Sequence, residues 1–82
     1  MKKNRAIVIV DRGWIFAGDV KQGKGRITLS RAIHVRSWSS IGFDGMIAAP
    51  KSTQVNLRSV PDVTIPDNAE IFRVPVPDDW GL

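Results

Sequence analysis

The 82-residue chain has no cysteine, no tyrosine and a single histidine, His34. Without cysteine it cannot carry the disulfides that stabilise most extracellular domains of this size, so a reducing, cytoplasmic setting is expected. One histidine and no thiol cannot assemble a zinc pattern within one chain, and the scattered aspartates lack calcium-loop spacing, so neither metal nor cofactor is predicted. Ser37 and Ser39 lie near His34 in sequence. A Ser-His-acid site is defined by geometry, however, which spacing does not supply. No catalytic residue is therefore named, and an enzyme is the least favoured class. Long hydrophobic runs are also missing. The opening MKKNRAIVIVDRG has five consecutive apolar residues, too few for a signal-peptide core or a membrane span.

A chain this short buries only roughly 60–65% of the surface its unfolded form exposes, which makes self-association a reasonable expectation. The net charge of +4 is unevenly distributed. Residues 1–43 carry nine Lys/Arg against Asp11 and Asp19, whereas residues 44–82 carry three against six acids. In one compact domain that asymmetry makes a dipolar surface, suited to an anionic partner or to pairing between copies.

Ala6-Ile7-Val8-Ile9-Val10 is apolar on both faces and mostly β-branched, the pattern of a central strand covered on both sides. Asp11-Arg12-Gly13 supplies turn chemistry, and Trp14 to Val20 resumes an extended run in which Gly18 marks a bulge or a close backbone approach. The Gly-bearing link Lys21 to Gly25 reads as a hairpin connection. From Arg26, alternation puts Ile27, Leu29, Ile33 and Val35 on one face, with Arg26, Thr28, Ser30, His34, Arg36 and Trp38 on the other. Arg31 breaks the pattern, and a bulge at Ser30-Arg31-Ala32 is predicted to redirect it.

Ser40 is expected to cap a short, irregular helix that Pro50 ends. Two short strands follow, Gln54 to Leu57 and Asp62 to Ile65, the second bracketed by Pro61 and Pro66 as an edge strand. A turn at Asp67-Asn68 leads to a last strand, Ala69 to Val74. The expected fold class is mainly β, α+β at most: a small antiparallel sheet or open barrel of five to six strands with one short helix near 40–49. A single domain over 1–76 is followed by an extended acidic tail over 77–82, in which Trp80 either docks or trails in solvent.

Chemistry concentrates in the first half, where Arg12, Lys21, Lys24, Arg26, Arg31 and Arg36 accompany Trp14 and Trp38. Arginine holds phosphate bidentately, and an indole stacks on any base for roughly 1–3 kcal/mol, so such a surface suits nucleotides. Trp14 shares its strand face with Phe16 and is assigned to the core. The predicted ligand-binding set is Arg31, His34, Arg36 and Trp38, with Phe43, Asp44 and Met46 as an interface for a protein partner. The hairpin glycines do not make a phosphate loop, because that motif must open a helix, whereas RITLS alternates like a strand. The aromatic run of an RNA-recognition sheet is missing, as are the several exposed aromatics of an OB barrel.

IVIVDRGWIFAGDV, a Gly-containing turn, ITLSRAIHVRSWSS and GFDGMIAA together resemble a family of small bacteriophage and prophage proteins. The similarity rests on Phe16-Ala17-Gly18-Asp19-Val20 and on Arg31, Ile33, Arg36 and Trp38; it covers roughly the first 50 residues and part of the last strand, and departs after Ala49. It implies a viral origin in a bacterial host cell and carries no activity with it. The resulting expectation is a phage accessory protein, such as a counter-defence factor, working by binding. As a cytoplasmic homo-oligomer it would take an anionic small molecule such as a nucleotide signal, or a host protein. The alternatives are a self-assembling interaction module and a nucleic-acid binder.

Overall fold

The computed structural model describes residues 4–82; Lys2 and Lys3, part of the basic half, lie outside the described residues. Six antiparallel strands form one open sheet: β1 (Arg5–Val10), β2 (Trp14–Gly23), β3 (Arg26–Trp38), β4 (Val55–Ser59), β5 (Val63–Pro66) and β6 (Glu70–Pro75), with one helix, α1 (Gly42–Ala48). The strand order is β4-β3-β2-β1-β6, and β5 pairs with β3 beyond the end of β4. β1 is buried on both faces, as its β-branched run predicts, but it lies between β2 and β6 rather than at the centre. The hairpin closes on Lys24-Gly25, with Gly25 at φ +69°, and the chain runs straight into β3.

The sheet is organised by a bulge in β3. Ala17 pairs with Ile33 and Asp19 with Ser30, so Gly18 alone faces Arg31 and Ala32. Arg31 adopts φ +47°. The bulge lies where the broken alternation predicts it, but it also corrects the face assignment. One extra residue inverts the parity of a period-two strand. Ile27 and Leu29 therefore pack with Ala6, Val8, Ala32 and Ile65 on one face, while Ile33 and Val35 pack with Ile7, Ile9, Ala17, Met46 and Trp80 on the other.

Each face gets its own cover. The Ile33 face lies under α1 and the C-terminal segment. The Ile27 face is enclosed by curvature. β5 ends with Pro66 opposite Arg26, and a three-residue 3-10 turn, Asp67–Ala69, carries the chain to Glu70 opposite Val10. So short a link between the two margins requires the sheet to coil around Val8, Ile27, Leu29 and Ile65.

Residues 77–82 do not trail as an extended tail. They turn, and Trp80 is buried, its indole Nε1–H donating to the Ile47 carbonyl at 2.8 Å. Ser40 does not cap α1 either. Its hydroxyl donates to Gln54 Oε1 at 2.7 Å, and Ile41 occupies the N-cap position without a side-chain bond.

The bulge is held by a buried cation. Arg5, 2% exposed, donates from Nε to the Trp80 carbonyl (2.9 Å), from Nη2 to the Arg31 carbonyl (3.2 Å) and from Nη1 to Asp19 Oδ1 (3.3 Å). Asp19 also accepts from Arg31 Nε (2.6 Å) and Nη2 (2.9 Å), and Arg31 Nη2 donates to the Asp78 carbonyl (2.7 Å). Burying a guanidinium is tolerable only when its donors are paired, and here a carboxylate and two main-chain carbonyls do so. β1, β2, the bulge and the C-terminal segment thereby share one network.

Hydrogen bonding from Arg31, assisted by Arg5 and opposed by burial, holds the Asp19 carboxyl below its ordinary pKa; Arg73 does the same for Glu70. A carboxylate with a depressed folded-state pKa contributes stability that is complete above the unfolded value and is lost as pH falls through the folded one. Stability should therefore decline below about pH 4. Asp19→Asn should flatten that decline in urea titrations across pH. At pH 7 it should cost about 1–3 kcal/mol, by leaving buried Arg5 with carbonyl partners alone. A Cβ on Gly18 would lie 2.9 Å from Leu29 Cβ and 3.0 Å from the Ser30 carbonyl oxygen. Gly18→Ala should accordingly lower stability by roughly 1–3 kcal/mol in the same titrations.

Candidate functional site

The basic residues of the first half are not equivalent once folded. Arg31, expected in the ligand-binding set, is engaged by Asp19 and the Asp78 carbonyl on the Ile33 side of the sheet, so its charge is already matched. Trp38, expected beside it, is also reassigned. Val35 pairs with Leu57 and Ser37 with Asn56, which makes Arg36 a second bulge residue. That extra residue returns Trp38 to the side of Val35, where it packs edge-on against Phe43 with ring centres 5.6 Å apart. Of the four predicted ligand residues, only His34 and Arg36 stay together, lining one groove.

Their neighbours come from adjacent strands. Register places Arg73, Val8, Phe16, His34 and Arg58 opposite one another in a row across β6, β1, β2, β3 and β4, so their side chains share one face. Trp14, two residues before Phe16, extends that row along β2. The Trp14 and Phe16 rings are parallel to within 3° with centres 6.1 Å apart, and His34 lies 5.3 Å from Trp14 and 5.4 Å from Phe16. Trp14, His34, Arg36 and Arg58, with Ser59, Val60 and Pro61, line an open groove of about 490 Å³.

Trp14 is 52% exposed, which corrects its assignment to the core. It does share a face with Phe16, as alternation predicts. Phe16 leans on the Val8 core, however, while Trp14 occupies the last pair of the β1–β2 ladder, opposite Val10, where that core ends. Arg58 was not among the expected site residues, because β4 is short and broken by Val60-Pro61-Asp62 before β5, which hides its phase. Its register opposite His34 is the signal that identifies it.

The electrostatic contrast across the molecule is simple. Arg5 and Arg31 are matched by Asp19, and Arg73 by Glu70 at 2.6 and 2.8 Å. Arg36 and Arg58 form no ion pair among the described residues and are exposed. Two unmatched guanidinium groups beside an exposed indole can hold an anion and cover a planar ring together. A second groove at the hairpin, lined by Lys21, Lys24 and Arg26, also contains Asp62 and has no aromatic ring. It offers charge without a stacking surface.

The expected protein interface at Phe43, Asp44 and Met46 is only partly accessible. Met46 is fully buried, because α1 turns it toward the sheet and into the Ile33 core. Asp44 is exposed and accepts from the Gly45 N–H at 3.0 Å, while Phe43 bridges Trp38 and Phe72. Among the described residues no group of three His, Asp or Glu is placed to hold a metal ion, and no helix is long and apolar enough to cross a membrane.

Neither a protein-family model nor a curated protein matches this chain.

Proposed function

We propose that the protein is a binding protein whose ligand is nucleotide-like, joining phosphate to a planar base, and that it binds across the Trp14–Phe16–His34 row with Arg36 and Arg58 on the phosphate. The observation that supports this reading is the pairing of a half-exposed indole with two arginines that no carboxylate neutralises. Arginine forks onto phosphate oxygens, and stacking on an indole accepts any base. The phage resemblance supplies the proposed setting, a small accessory protein in an infected bacterium, where capturing a nucleotide signal would serve counter-defence.

The test is calorimetric titration with ATP and with a short oligonucleotide. Trp14→Ala should weaken the tighter of the two by roughly five- to a hundredfold, with little change in melting temperature because the ring is exposed. Arg58→Glu should weaken it at least as much. Unchanged affinity in both variants would exclude this face as the binding site.

A second reading, self-association, is favoured by a different observation. β6 is an edge strand, and Ile71 and Phe72 on it are 61% and 49% exposed. Its charged pair, Glu70 and Arg73, is internally neutralised. An edge that exposes apolar side chains and no unmatched charge lacks the charge that usually deters pairing with a second copy. Sedimentation velocity at tens of micromolar should show a dimer that Ile71→Lys dissociates; a monomer at all concentrations would exclude this reading.

A further inference from the structure

Resting on the nucleotide-binding reading above, we propose that the ligand of this face is a single-stranded nucleic acid rather than a mononucleotide or a duplex. Three features of the groove lead there.

The first is the exposed ring. Trp14 is 52% exposed in the groove with His34 5.3 Å away, while Phe16 leans on the Val8 core, so a single indole face is open to a base. A single strand can turn an unpaired base onto that face. A duplex cannot, because its bases are paired and stacked inward.

The second is openness. A site for a free nucleotide normally encloses most of its ligand. This groove is open, and it borders β4, an edge strand, so a chain can enter and leave past Arg58. The third is the balance of chemistry. Two arginines line the groove, whereas His34 and Ser59 are its other polar side chains apart from the Trp14 indole. That supplies phosphate contacts and stacking with few groups to read base edges, the composition of a sequence-tolerant strand binder.

The experiment titrates the protein with thymidine monophosphate, with oligothymidylates of two, four and about eight nucleotides, and with a duplex of the longest length. Intrinsic fluorescence and labelled-oligonucleotide anisotropy are followed across salt. Affinity should rise at least tenfold from the monomer to the four-nucleotide strand, with the duplex much weaker. The logarithmic salt slope should lie near −1.4, for two phosphates at about −0.7 each on a single strand, and Arg58→Glu should reduce it by one such step. Trp14→Phe should retain most of the affinity but lose the quenching, while Trp14→Ala loses both. Equal affinity for the monophosphate and the longer strands would overturn the strand proposal and leave the nucleotide reading standing. Tighter binding of the duplex would also overturn it. No binding of any of these at low salt would overturn both.

Discussion

The structure depends on how the buried Arg5 guanidinium is satisfied. A cation at 2% exposure has to find acceptors, and it finds them on three separate parts of the chain: Asp19 of β2, the Arg31 carbonyl at the bulge and the Trp80 carbonyl near the C-terminus. The bulge turns the Arg31 carbonyl toward Arg5 and the Arg31 side chain toward Asp19, so one irregular residue serves the network twice. Gly18 makes this possible, since any larger residue opposite the bulge would meet the Leu29 side chain and the Ser30 carbonyl. The acidic C-terminal segment is part of the same device, because its Asp78 and Trp80 carbonyls complete the two arginines.

The candidate site follows from that arrangement. The Arg31 bulge inverts the parity of β3, and the Arg36 bulge inverts it again, so His34 and Arg36 share a face while Val35 and Trp38 share the opposite one. Among the described residues the arginines of the network and of β6 are ion-paired, whereas Arg36 and Arg58 beside Trp14, like Arg12 and Arg26, are not. Charge without a partner next to an exposed ring distinguishes this face from the hairpin groove, which has no ring.

Much of the fold was legible in the sequence. The apolar β-branched run of β1, the glycine-bearing hairpin and the bulge at Arg31 are local features, and all three are present. What local pattern does not carry is the sum of two bulges. Alternation counted straight through Arg31 puts Ile27 and Val35 on one face and Trp38 beside His34, and each inserted residue reverses that count. Arg5 was hidden for a related reason: as one of several charges near the chain start it reads as solvated, and only the fold brings Asp19 and two carbonyls around it. Trp14 shows the limit of composition. Indoles are mostly buried, yet this one stands at the end of a ladder where no core remains to cover it.

A ligand bound on the Trp14 face, as proposed, and one bound on the helix side perturb different indoles. The three indole N–H resonances in a nitrogen-15 correlation spectrum separate these outcomes, because Trp14 is exposed, Trp38 packs on Phe43 beneath the helix side and Trp80 is buried on the Ile47 carbonyl. Adding a short oligothymidylate should shift the Trp14 indole signal and leave that of Trp80 in place. Shifts confined to Trp38, with Trp14 unmoved, would contradict the account.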